Sequence, residues 1–165
     1  MSPRKILIAL LGLTTAACAS VQRLDAASDV HALLIAIRDD DQATFDAHVD
    51  RTALKQEFRT KLTRRIDKRL GGLAELLGPS VIDVAGDTLV QPRVFKLVAE
   101  QYGYRDGGKI PNVVEIAAAL RPLPDGRVCA VAKKNGPCLM SFTKQSGVWK
   151  LTSFDGDFSM LRIRL

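Results

Sequence analysis

The sequence predicts an α+β fold, with N-terminal helices packed on one face of a C-terminal antiparallel four-stranded meander. Three observations predict it. Apolar residues recur at helical spacing from Val30 to Leu120, the period changes to two after Gly126, and short turns rich in Gly, Ser and Asp separate the later segments. A helical block followed by an alternating block suits helices laid over one side of an antiparallel sheet.

The first element is an address. Arg4 and Lys5 precede the apolar run Ile6 to Leu13, and Thr14 to Ala19 supplies small residues. This is the layout of a secretory signal, and its apolar run is far below the roughly 20 residues that span a bilayer. Residues 1–18 are therefore expected to be a signal peptide, 19–28 a linker and 29–165 one domain. Thr15-Ala16-Ala17 before Cys18 resembles the lipobox of bacterial lipoproteins, although Thr15 stands where that box prefers Leu. The resemblance implies diacylglycerol on Cys18, and Ala19 in place of Asp after it implies sorting to the outer membrane, facing the periplasm. The alternative is cleavage after Ala19 at the A-x-A site Ala17-Cys18-Ala19, which frees a soluble periplasmic or secreted protein.

Either cut sets Cys18 apart and leaves Cys129 and Cys138, an even pair suited to an oxidising compartment. They flank the turn signal Lys133-Lys134-Asn135-Gly136. A hairpin with its loop over Ala132 to Asn135 sets the two cysteines opposite each other on one face, which suits a disulfide.

Removing the signal leaves about 146 residues, enough for one domain with a sizeable core. Asp29 is a candidate N-cap, and Val30, Leu33, Leu34 and Ile37 form the apolar stripe of the helix after it. Asp39-Asp40-Asp41 ends that helix and caps the next, where Phe45 and Val49 point inward. Asp50 caps a third helix with its stripe at Leu54, Phe58, Leu62, Ile66 and Leu70, and Gly71-Gly72 stops it. Leu73 to Leu77, Val81 to Val90 and Arg93 to Tyr102 read as further helical pieces, with Pro92 suited to a first helical position. Tyr104 to Lys109 reads as a loop. Asn112 to Leu120 again has a helical period, and Pro122-Leu123-Pro124-Asp125-Gly126 stops it.

Four strands follow, at Arg127 to Val131, Cys138 to Lys144, Val148 to Phe154 and Phe158 to Leu165. A two-residue turn at Ser146-Gly147 places Trp149 and Leu151 on the face of Met140 and Phe142. A turn at Asp155-Gly156-Asp157 adds Leu161, Ile163 and Leu165 to it. Ser141, Thr143, Lys150 and Thr152 form the other, polar face.

Ala36-Ile37-Arg38-Asp39-Asp40-Asp41-Gln42-Ala43-Thr44-Phe45, with Val49-Asp50 and Leu54-Lys55, resembles the opening of an uncharacterised bacterial family of exported proteins, domain-of-unknown-function family 2939. Its members pair an A-I-R-x-x-D helix with a V-D-x-x-x-L helix and end in a W-x-L strand, to which Gly147-Val148-Trp149-Lys150-Leu151 is similar. Arg51-Thr52 departs from the Phe-Pro pair expected after Asp50. The resemblance implies an exported α+β domain and carries no activity, ligand or site.

Charge is distributed in blocks. The whole chain has 24 Lys and Arg against 18 Asp and Glu. Ser20 to Asp50 carries a net −5 and Arg51 to Leu70 a net +6. The basic helix is the candidate surface for anionic lipid, with Arg59, Lys61, Arg65 and Lys68 as its exposed cations. Nucleic acid is disfavoured as a partner, because Phe58, the stretch's one aromatic, belongs to the apolar stripe. His31 and His48 lie on different helices and read as an exposed and a packed or capping residue. Asp39-Asp40-Asp41 and Asp155-Gly156-Asp157 lack the ligand spacing of a calcium loop, and G-x-S-x-G, H-E-x-x-H and phosphate-loop patterns are missing from the sequence. No catalytic residue, metal ligand or cofactor is expected. The leading expectation is a non-enzymatic envelope protein that binds the membrane or another envelope protein. The alternative is a ligand-binding or enzymatic domain with a pocket between helices and a curved sheet.

Overall fold

Capping chemistry sets most helix boundaries in the computed structural model. It describes residues 3–70, 88–101, 108–131, 133 and 136–155, without the side chains of 3–18, 62, 65–70 and 101. Its elements are α1 (Pro3–Asp39), α2 (Gln42–Ala47), α3 (Arg51–Leu70), α4 (Pro92–Gln101), α5 (Val113–Ala119), β1 (Leu120–Pro122), β2 (Val128–Val131), β3 (Cys138–Gln145) and β4 (Val148–Phe154). After α1, Asp40 turns the chain at φ 57°, a left-handed conformation that Asp tolerates better than most residues. Asp41 Oδ1 then accepts from the N–H groups of Ala43 and Thr44 at 3.0 and 3.1 Å, which caps α2. Asp50 Oδ1 accepts from Ala53 N–H at 2.9 Å to cap α3. Pro92 opens α4, and Asn112 with Glu115 forms a reciprocal capping box on α5.

Three expectations are corrected. Residues 19–28 are not a linker and Asp29 is not an N-cap, because α1 runs through both without interruption. The stretch has no Gly or Pro, and Ala26 and Ala27 are fully buried, so packing and propensity both continue the helix. Leu120 to Pro122, read as a helix end and a stop, instead forms β1 and pairs antiparallel with β2, Leu120 opposite Ala130 and Pro122 opposite Val128. Three residues are too few to show a period of two, and Pro122 sits where a sheet tolerates proline, at the end of an edge strand.

The sheet is a four-stranded antiparallel meander in the order β1-β2-β3-β4. Ser146 and Gly147 both have positive φ, 50° and 88°, as a type I′ hairpin requires. Lys144 lies opposite Trp149 and Phe142 opposite Leu151, and a bulge at Ser141/Phe142 then brings Phe154 opposite Met140. Of the expected inner face, Phe142, Trp149 and Leu151 are buried and Met140 packs against them, with Phe154 added where simple alternation placed Ser153, while Leu161, Ile163 and Leu165 lie outside the described residues. Of the expected polar face, Ser141 is buried. The expected segments Leu73 to Leu77, Phe158 to Leu165, Gly71-Gly72, residues 81–87 and most of the loop Tyr104 to Lys109 lie outside the described residues.

Helices cover the inner face. Phe45, Phe95 and Phe154 meet edge to face, with centroids 5.4 and 5.6 Å apart. Val30, Leu33, Val49, Leu54, Phe58, Phe142, Trp149 and Leu151 complete a core with side chains from both layers. No buried side-chain nitrogen or oxygen among the described residues lacks a hydrogen-bond partner.

The outer edge of β4, the last strand of the described sheet, is closed by polar groups from the helical layer. Trp149 N–H donates to Asp29 of α1 at 2.7 Å. Leu151 N–H donates to His48 O and Leu151 O accepts from Asp50 N–H, both at 2.9 Å. Phe154 N–H donates to Glu57 at 3.0 Å, and Phe154 O accepts from Lys61 Nζ at 2.7 Å. Asp25 of α1 accepts from Trp149 Nε1 at 2.8 Å and from Lys144 Nζ at 2.6 Å.

These contacts couple stability to acid. The hydrogen bond from Lys144, then that from Trp149, holds the Asp25 carboxyl below the usual carboxylate range. Asp50 is lowered first by Gln145 and then by Ala53 N–H. A carboxyl depressed in the folded state contributes stability above its unfolded pKa and loses it as pH falls through the folded pKa. The urea midpoint is therefore expected to be flat near neutrality and to fall below about pH 4. Asp25→Asn and Asp50→Asn should each lower the neutral midpoint and flatten the acid limb, which urea titrations monitored by Trp149 fluorescence will measure.

Candidate functional site

Of the residues the sequence singles out, Cys18 lies within α1, five residues before Arg23, and its side chain is outside the described residues. Cys129 and Cys138 are joined by a disulfide with Cα atoms 5.6 Å apart. The two are not directly opposite, as simple hairpin pairing required. Cys129 faces Ser141 and Cys138 faces Val131, because the register shifts at Ala130/Val131. The bond therefore bridges β2 and β3 diagonally across an irregular pair. Cys129 is fully buried, and Cys138 Sγ lies 3.2 Å from the buried Ser141 hydroxyl.

Of the four cations expected on one exposed face of α3, the two with described side chains, Arg59 and Lys61, differ in environment. Lys61 turns toward the sheet and donates to Glu57 at 2.7 Å, Asp155 at 2.8 Å and the Phe154 carbonyl. Burial opposes its charge, and the hydrogen bonds to Asp155 and Glu57 outweigh that, so its pKa is raised. Arg59 is exposed and lines a polar groove of about 430 Å³ with Thr52, Lys55, Gln56 and Thr60. The side chains of Arg65 and Lys68 lie outside the described residues.

The remaining polar candidates have structural roles. Asp39 pairs with Arg38 at 2.7 Å, Asp40 with Arg93 at 2.6 Å, and Asp41 is a cap. His48 is the C-cap of α2, with Nδ1 2.8 Å from Thr44 O and Nε2 3.7 Å from Asp29. His31, expected to be exposed, is half-buried on α1.

The structure also assembles a cleft that no local motif announces. It has a volume of about 510 Å³ and opens between α1, α5 and the β1 edge of the sheet. Arg23 comes from α1, Arg121 from β1 and Lys133 from the loop after β2. Ala118, Leu120, Pro122 and Val131 supply an apolar wall. Glu115, the acid at its rim, accepts from Asn112 N–H at 2.8 Å within the capping box. Arg23 donates to Ala19 O at 3.3 Å and Arg121 to Gly136 O at 3.5 Å. Among the described residues none of the three cations is in an ion pair, whereas Arg51, Lys61, Arg93, Arg127 and Lys144 each hold a carboxylate. The three are spread from residue 23 to residue 133, so only the fold brings them together.

The disulfide generates a direct test. In freshly prepared envelopes both cysteines should resist alkylation until a reductant is added, as intact mass will read. Reduction should cost about 2.5 kcal/mol, because the bond closes a short loop in the unfolded chain.

No curated protein and no solved structure matches this chain. A family model described as "Protein of unknown function (DUF2939)" matches residues 6–97. The matched span holds all but the first residues of α1, then α2 and α3 with their caps Asp41 and Asp50, and reaches into α4, while the Trp149 strand lies beyond it. With more than half of its length matched, the chain belongs to the DUF2939 family.

Proposed function

We propose that this protein is an exported bacterial envelope component, anchored through diacylglycerol on Cys18, whose domain works by binding the membrane or another envelope protein rather than by catalysis. The observation that carries this reading is the packing of the described layers. Phe45, Phe95, Phe142, Trp149, Leu151 and Phe154 fill the core where helices meet β3 and β4, and the cleft of about 510 Å³ among the described residues opens at the β1 edge. Recognition then falls to the surface. Export is supported by the layout of the first nineteen residues. Among the described residues no helix is long and apolar enough to cross a membrane, so the anchor supplies the attachment.

The anchor makes a sharp prediction. Intact mass of the mature protein should show an N-terminal diacylglyceryl cysteine, and Cys18→Ser should move the protein from the membrane to the soluble fraction. A mature N-terminus at Ser20 overturns the anchor in favour of simple secretion. Binding is tested on the same material by crosslinking in intact envelopes. A discrete adduct with lipid or protein is expected, and recovery of the uncrosslinked chain alone overturns the interaction reading.

A further inference from the structure

The α1/α5/β1 cleft has the chemistry of a headgroup site. Arg23, Arg121 and Lys133 reach it from three separate elements, and the hydrogen bonds that hold the two arginines go to main-chain carbonyls. A carbonyl bond leaves each guanidinium outside an ion pair, and one acid, Glu115, stands against three cations in the lining, so the cleft keeps a net positive charge that a bound anion would neutralise. Its apolar wall sits directly beside those charges. A purely inorganic anion gains nothing from such a wall, whereas a phosphate carried on a glycerol and acyl body uses both.

Position strengthens the case. Five residues of helix separate Cys18 from Arg23, a rise of about 7.5 Å, so the cleft lies at the end of the domain nearest the proposed anchor. At that end Val21 and Leu24 are 66% and 49% exposed, and their spacing of three puts them on neighbouring positions of α1. Gln22 Nε2 donates to Gly126 O at 2.9 Å, which ties the turn before β2 to the same end of α1. Cations and exposed apolar side chains gathered at one end of the domain, though on different sides of α1, suit a surface that faces acidic lipid.

We infer that this cleft binds the phosphate headgroup of an acidic phospholipid, and that the α1 end bearing Val21 and Leu24 faces the bilayer. The assignment deepens the proposed envelope role, and its orientation rests on the Cys18 anchor. Headgroup binding itself does not need the anchor and is measured without it. It also moves the lipid contact away from α3, whose Lys61 is engaged with Glu57 and Asp155.

The test uses the processed chain, without the signal residues before position 18 and carrying Cys18→Ser, so that neither the signal's apolar run nor the anchor can mask the cleft. Binding to phosphatidylglycerol–phosphatidylcholine vesicles is expected, with none to pure phosphatidylcholine, and millimolar inorganic phosphate should not displace the protein. Arg23→Gln, Arg121→Gln and Lys133→Gln should each weaken binding about fivefold, the contribution of one cation near an anionic surface. Near-ultraviolet circular dichroism of Trp149 will check that each variant is folded. Equal binding by the triple variant overturns the site, as does a loss caused instead by Arg59→Gln with Arg64→Gln. Displacement by inorganic phosphate overturns the lipid assignment in favour of a free-anion site. A mature N-terminus at Ser20 in the unaltered protein overturns the orientation of α1 toward the bilayer, while headgroup binding is decided by the vesicle results alone.

Discussion

The open edge of β4 is the constraint around which the described structure is arranged. A strand at the end of a sheet presents unpaired N–H and C=O groups that invite another strand. Here three successive helical elements meet them. Asp29 of α1 takes the Trp149 N–H, the α2–α3 connection pairs with Leu151 at His48 and Asp50, and Glu57 with Lys61 of α3 takes both groups of Phe154. The bulge at Ser141/Phe142 is part of this arrangement. It changes the phase of β4, so that Phe154 both faces the core and meets α3 along its main chain. Strand capping and layer packing are therefore one set of contacts.

That arrangement explains the blocks of charge. The acidic segment before α3 does not simply neutralise the basic helix that follows. Arg51 pairs with Asp46 at 2.7 Å, but Asp25 serves Lys144 and Trp149, Asp40 serves Arg93, and Asp29 and Asp50 serve β4 and its hairpin. Acids concentrated in the first helices are the acceptors for donors contributed by the sheet and by α4. Exposed ion pairs of this kind add little each. Those joined to strand N–H groups matter more, because breaking them leaves donors in a part-buried edge without partners.

Local chemistry was legible where one residue type satisfies one backbone need. Asp41, Asp50, Pro92 and Ser146-Gly147 act as caps, helix starts and turns through their own side chains or allowed φ values, so a short window contains the whole reason. The long-range features had no such window. Asp29 looks like a cap until Trp149, distant in sequence, donates to it. Lys61 looks like a solvated cation until Asp155 and Phe154 arrive beside it. Three residues of β1 cannot display an alternation, and only pairing with β2 identifies them. The disulfide partners followed from cysteine arithmetic, while their diagonal placement depended on an irregularity that alternation cannot forecast. The cleft was invisible for the same reason as the β4 edge, since its charges belong to elements far apart in the chain.

Continuity of α1 has a mechanical consequence for the proposed anchor. A linker at 19–28 would let the domain swing freely above the membrane, with no preferred face toward the lipid. A helix without Gly or Pro from Ala19 to Asp39 does not. From Cys18 to Ala26, the first fully buried position after it, is a helical rise of only about 12 Å. The residues between are exposed or half-buried and include Val21, Arg23 and Leu24. The helix that fills the core is thus also the strut that would set the domain's height and tilt. Any charge placed at its near end, as Arg23 is, acts on the bilayer at short range, where screening by salt is least effective.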